Sequence, residues 1–110
     1  MSGNWQTICS VDDIPRNGGR CALVGKHQVA VFRVCDGDAQ KFYAIDNHDP
    51  FSQANVLSRG IVGSLQQKTV VASPIYKQHF CLESGQCLEE NIQLRTWQVR
   101  VDGAAVQILA

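Results

Sequence analysis

Ala44-Ile45-Asp46-Asn47-His48-Asp49-Pro50-Phe51 and, about twenty residues further on, Ala72-Ser73-Pro74-Ile75-Tyr76-Lys77-Gln78-His79-Phe80 decide how this chain reads. Each is an apolar, strand-like run feeding a proline loop: Asp49-Pro50-Phe51 in the first, Ser73-Pro74-Ile75-Tyr76 in the second. Leu57-Ser58-Arg59-Gly60 lies between them, and Ser84-Gly85-Gln86-Cys87-Leu88 follows as a Ser-Gly turn.

Outward from this pair the chain is strands and turns. Trp5 to Cys9 reads as a first strand, and Ser10-Val11-Asp12-Asp13-Ile14-Pro15 as a helical turn capped by Ser10 and stopped by Pro15. Arg20–Val24 and Gln28–Val34 are β-branched runs joined by Gly25-Lys26-His27, a hairpin signal. Gly37-Asp38 makes the next turn, and Lys41–Asp46 leads into the first proline loop. Asn55–Arg59 holds a helical turn, Ile61–Gly63 is a short strand, and Lys68–Ser73 enters the second loop. His79–Leu82 and Gln86–Leu88 pair across Glu83-Ser84-Gly85; a three-residue loop would set Cys81 opposite Cys87. Arg95–Val101 and Ala104–Leu109 are joined by Asp102-Gly103, a type I′ signal. In that strand Trp97, Val99 and Val101 share one face. Roughly ten short strands with Gly-rich turns and little helical periodicity predict an all-β sandwich or barrel.

Composition narrows the function. At 110 residues the chain is one domain, 1–110, able to bury a core without staples. Formal net charge is zero and only 18% of residues are charged, against roughly 25% in ordinary domains. With no basic stripe or acidic tail, nucleic-acid and anionic-membrane partners have no electrostatic support. No apolar run reaches the length of a membrane span and the N-terminus lacks a leader, so the expected location is the cytoplasm. The five cysteines, without a Cys-x-x-Cys, read as buried apolar residues of a reducing compartment.

The two proline loops resemble those of a Rieske iron–sulfur domain, in which they read Cys-Pro-His and Cys-Pro-x-His and hold a [2Fe–2S] cluster through two Cys and two His. The resemblance implies an antiparallel β-sandwich/barrel with a small two-loop subdomain, approximately 46–88. It puts Asp49 and Ser73 at the Cys positions and Phe51 and Tyr76 at the His positions. All four ligands are missing. Iron–sulfur chemistry needs thiolate and imidazole, and Phe51 offers no donor, so no cluster and no other cofactor is expected here. Asp49, Phe51, Ser73 and Tyr76 then either pack the two loops together, the aromatics filling the cluster's volume, or form a docking surface.

Other chemistry is thin. His79, Cys81 and Cys87 offer N and S ligands, but three donors on one flat hairpin converge poorly and match no usual zinc spacing, so no metal site is expected. As nucleophile and base, Cys81 and His79 stand i and i+2 on a strand, roughly 6–7 Å apart and beyond hydrogen-bond reach. Asp12-Asp13 and Glu89-Glu90 are adjacent and diverge, as a capped turn and a solvated loop. No catalytic residue is expected. His48, Arg59 and Lys77 beside the loops either form a small cationic patch for a partner or are simply solvated, and His27 faces solvent in its turn.

Longer pieces carry a closer resemblance: Trp5, Val11-Asp12-Asp13-Ile14-Pro15, Cys21-Ala22-Leu23-Val24-Gly25, Gln28 to Arg33, Ile45-Asp46-Asn47, Asp49-Pro50-Phe51, Val56 to Gly60 and Val71-Ala72-Ser73-Pro74. Together they are similar to the small subunits of bacterial assimilatory NAD(P)H-dependent nitrite reductases. That implies a non-catalytic subunit of a cytoplasmic enzyme reducing nitrite to ammonium. Its large subunit carries FAD, sirohaem and a [4Fe–4S] cluster. Docking would then use His48, Asp49, Phe51, Arg59, Ser73, Tyr76 and Lys77. The alternative is a Rieske-type electron carrier, or a free-standing interaction module of another oxidoreductase.

Overall fold

The computed structural model describes residues 3–110. Its strands are β1 (Trp5–Ser10), β2 (Gly18–Val24), β3 (His27–Asp36), β4 (Ala39–Asp46), β5 (His48–Asp49) and β6 (Ala54–Asn55). They continue with β7 (Ile61–Leu65), β8 (Lys68–Ala72), β9 (His79–Cys81), β10 (Thr96–Trp97), β11 (Val99–Asp102) and β12 (Ala105–Leu109). Single 3-10 turns at Val11–Asp13 and Leu57–Arg59 are the helical pieces. The strands pair antiparallel in four sheets, ordered β1-β12-β11, β10-β4-β3-β2, β5-β6 and β7-β8-β9.

The Val29-Ala30-Val31-Phe32 run explains the layering. Side chains alternate across a strand, so four consecutive buried apolar residues need cover on both faces. Val29 and Val31 pack with Ala44, Trp97, Val106 and Ile108, under the β1-β12-β11 sheet. Ala30 and Phe32 pack the other way, with Ile45, Leu57, Val71 and Phe80, under β7-β8-β9. The β10-β4-β3-β2 sheet is therefore the middle layer. β12 shows the ordinary one-sided pattern instead, Val106 and Ile108 buried between half-buried neighbours. Each large side chain fully buried in these two cores stabilises by about 1.5–3 kcal/mol.

The all-β expectation holds, with four local differences. The expected strand Arg95–Val101 is two strands: Trp97 pairs with Ala44 in the middle layer, then Gln98 O accepts Leu109 N–H and the chain crosses to the outer sheet. Trp97 is buried while Val101 is exposed, so they share no core face. The last hairpin turns at Gly103-Ala104, because Asp102 pairs with Ala105; Gly103, at φ +63°, is the first turn residue of a II′ type, one position along from the expected I′ turn. Cys87 pairs with Phe80 rather than facing Cys81. Gly85 sets that register: at φ +80° it donates to Cys81 O at 2.7 Å, and a Cβ there would stand 2.2 Å from Leu94 O. All five cysteines are free thiols; Cys81 and Cys87 are buried as expected, whereas Cys21 is exposed.

The first helical turn comes out as read. Asp13 reaches back to accept the Ser10 N–H at 2.9 Å, and Ile14, before Pro15, is extended. Both proline loops leave the same end of the layers. β4 runs out at Asp46, beside the β2–β3 turn that precedes His27, and β8 runs out at Ala72.

Candidate functional site

Asn47, the residue after β4, fixes where the first loop starts. It is fully buried, its Oδ1 accepting Ser58 N–H at 2.7 Å and its amide donating to Asn55 O at 3.1 Å and Gln28 Oε1 at 3.4 Å. Its own N–H reaches Gln28 O and its carbonyl takes Leu57 N–H. One side chain thus ties the middle sheet to the β5–β6 hairpin and to the Leu57–Arg59 turn. The sequence displayed it only as a polar residue following an apolar strand.

Two aspartates shape the loop that follows. Asp46 Oδ1 accepts His48 N–H at 3.0 Å, and Asp49 Oδ1 accepts Phe51 N–H at 2.9 Å, each an Asx turn. β5 and β6 pair across the tip, a hairpin too short to stand out in the sequence. In the second loop Ser73 N–H donates to Gln78 O and Lys77 N–H to Ser73 O, closing a tight turn with Lys77 at φ +66°.

The loops then meet. Ser73 Oγ donates to Asp49 Oδ2 at 2.5 Å, across 24 residues of chain, and both side chains are fully buried. Burial alone would push the Asp49 carboxyl up. The hydrogen bonds from Ser73 and from the Phe51 N–H together outweigh it and hold Asp49 below the usual carboxylate range.

The other two positions diverge. Phe51 is half-buried against the Phe80 core, with ring centroids 6.2 Å apart. Tyr76 is 59% exposed, so the two aromatics do not together fill the space between the loops. Neighbouring Ile75 is 45% exposed and Ile61, paired with Ala72 at the mouth of the second loop, is 69% exposed. Neither isoleucine was among the expected docking residues. Asp49 and Ser73 were, and the burial corrects them: they hold the loops and present nothing to a partner. Phe51 is partly accessible, His48 is half-buried with Nδ1 3.0 Å from Asn55 Oδ1, and Arg59 and Lys77 are exposed.

In the His79–Cys87 hairpin the Glu89 carboxylate, not Cys81, is the partner of His79 and Cys87. Glu89, expected in a solvated loop, accepts His79 N–H at 2.8 Å and lies 2.7 Å from His79 Nδ1. Burial works slightly against its charge, but these bonds keep Glu89 below the ordinary range. Cys87 Sγ touches the same carboxylate at 3.7 Å, while Cys81 lies in another register. Among the described residues no three His, Cys, Asp or Glu side chains converge as metal ligands.

The comparisons decide the family. A model of the Rieske-like [2Fe-2S] domain matches residues 4–109. The nitrite reductase (NADH) small subunit of Salmonella typhimurium is 45% identical over 105 residues, covering 94% of this chain and 95% of that one. The chain belongs to the nitrite reductase small-subunit family. The NMR structure of the family's E. coli member, NirD, superposes with a TM-score of 0.89 at 41% identity, covering 100% of this chain and 98% of that one. A nitrite reductase [NAD(P)H] large subunit of Klebsiella oxytoca also matches, 42% identical over 94% of this chain but only 11% of its own length.

The cluster named in that family description does not fit this small-subunit chain. A Rieske centre needs two thiolates and two imidazoles converging on two irons. Here the two positions that would hold one iron are closed on each other by the Asp49–Ser73 bond. Of the other two, one is a phenyl ring and the other an exposed phenol.

Proposed function

We propose that this chain is the small, non-catalytic subunit of an NAD(P)H-dependent nitrite reductase, docking on the large subunit without carrying a redox centre. The observation that carries this is the Asp49–Ser73 hydrogen bond: it joins the two loops where a cluster would otherwise hold them, so the scaffold keeps its shape with no electron carrier. The match inside a large-subunit chain supports the partner, since there the same module is covalently attached to the polypeptide that this chain meets as a separate protein.

The whole of 1–110 acts as one domain, with segment 46–88 as the subdomain that meets the partner. Tyr76 and Ile75 are its exposed apolar contacts, with Arg59, Lys77 and His48 at their border and Phe51 as the packing beneath. The FAD, sirohaem and [4Fe–4S] groups that carry electrons from NAD(P)H to nitrite belong to the large subunit, in the cytoplasm. Small-subunit binding stabilises that subunit or sets its electron-transfer geometry. The one hydroxyl bonded to a carboxylate in the loops, Ser73 on Asp49, is fully buried with its partner and out of reach of a substrate.

Co-expression with the large subunit, followed by anaerobic purification and iron analysis, tests the proposal. The expected result is a stoichiometric complex from which the small chain, once separated, is colourless and free of iron. Rieske-type absorbance with stoichiometric iron in the separated chain would support the electron-carrier alternative instead. Failure to co-purify would refute the docking role.

A further inference from the structure

The proline loops are one half of a longer charged surface. At the same end of the molecule the Gly25-Lys26 turn delivers His27, whose ring lies 5.8 Å from Trp97. The Arg95 guanidinium stacks over that Trp97 ring at 4.5 Å, with Nη1 3.4 Å from His27 Nε2. Arg95 O accepts Asp46 N–H at 3.0 Å, and Asp46 in turn caps His48, so only two hydrogen bonds separate this cluster from the first proline loop. From there Asp49–Ser73 leads on to Lys77, and Ser58 N–H on Asn47 brings in Arg59.

Lys26, Arg59, Lys77 and Arg95 are all exposed, and none is in an ion pair among the described residues. The carboxylates at this end are mostly engaged: Asp46 takes the His48 N–H, Asp49 is buried under Ser73, and Glu89 holds His79, with exposed Glu90 on the loop beyond. Exposed Asp12, Asp13, Asp36, Asp38 and Asp102 lie at the opposite end, where they outnumber the exposed Arg16, Lys41 and Lys68. There Arg33 donates to Val11 O and Ile14 O, Val11 N–H reaches Ala104 O, and Asp36 and Asp38 flank the β3–β4 turn. Zero net charge therefore hides an uneven distribution of the accessible charges.

We propose that the docking surface extends beyond the proline loops onto Lys26 and the Trp97-backed Arg95, and that this arc binds carboxylates on the large subunit. The proposal rests on the docking role given above and names the chemistry of its partner surface. Arg95 suits the part: its planar fork is already held over an aromatic ring, so little side-chain freedom is lost when it meets a carboxylate. A rim of this kind acts mainly through the association rate and is screened by salt.

The test measures binding of the purified chain to purified large subunit, by association kinetics, at about 0.01 M and about 0.15 M salt, where the screening length falls from about 30 Å to about 8 Å. Lys26→Glu/Arg95→Glu is expected to weaken binding about tenfold at low salt, mostly through a slower on-rate, with the deficit shrinking at the higher salt. Lys41→Glu, on exposed β4 surface at the far end, is the control and is expected to stay within about twofold. Circular dichroism confirms the fold, and Lys26→Glu/Arg95→Gln, which keeps most of the stem over Trp97, replaces the first variant if that one unfolds. Binding by the Lys26/Arg95 variant within about twofold of wild type, or an equal loss in Lys41→Glu, would overturn the charged arc while leaving docking intact. No binding by wild type at either salt would overturn the docking role itself, and the arc with it.

Discussion

Ser73→Ala removes the hydroxyl that closes the two loops and leaves Asp49 Oδ2 buried without its donor. A hydrogen bond to a charged group contributes about 1.5–3 kcal/mol, so at neutral pH the variant should lose about 2 kcal/mol of unfolding free energy. With a urea m-value of about 1.5 kcal/mol/M, the midpoint falls by about 1.3 M. The pH dependence separates this cause from a simple packing loss. Asp49 has a folded pKa below its unfolded value, so its contribution is fully present above the unfolded value of about 3.9 and is lost as pH falls through the folded one. Once Asp49 is protonated the Ser73 bond is an ordinary neutral one of about 1 kcal/mol, and the gap between wild type and Ser73→Ala should narrow. Urea titrations of both proteins at neutral pH and at the lowest pH where wild type stays folded measure the gap. A difference below about 0.5 kcal/mol at neutral pH, or one that does not shrink on acidification, would refute the reasoning.

Two further predictions concern the scaffold. Asn47→Ala strips a buried side chain bonded to Ser58, Asn55 and Gln28 and orphans the Ser58 N–H; a loss of about 2–4 kcal/mol is expected by thermal or urea unfolding. Gln66 and Gln67 hold the β7–β8 hairpin at φ +53° and +63°, a I′ turn without its usual Asn-Gly, so Gln66→Asn/Gln67→Gly should raise stability by about 1–2 kcal/mol in the same assay.

The fold was legible because its signals are local and repeated. The Val29–Phe32 run is uninterrupted where a strand is buried on both faces, and the two proline loops lie at a fixed spacing. The turn glycines stand at hairpin ends, although Gly103 shows that a dipeptide signal locates a turn to within one residue. The site was legible only by position. Resemblance located Asp49 and Ser73, but that they bond each other across 24 residues is a tertiary fact. The divergence of Phe51 and Tyr76 is another, since both are aromatic and only packing against Phe80 tells them apart. Glu89 is exposed, as a solvated loop implies, but its bond to His79 was not legible because that partner is ten residues away, across a hairpin whose register Gly85 shifts by one. Arg95 and His27 meet on Trp97 from 68 residues apart, which no periodicity displays.

Docking on a large nitrite reductase subunit through the proline-loop end is tested most directly by the affinity of Tyr76→Glu for that subunit. Tyr76 is exposed and outside both cores, so the variant should fold with wild-type stability. A buried charge in the contact should weaken association at least about tenfold. A folded Tyr76→Glu chain that binds the large subunit as tightly as wild type would contradict the account.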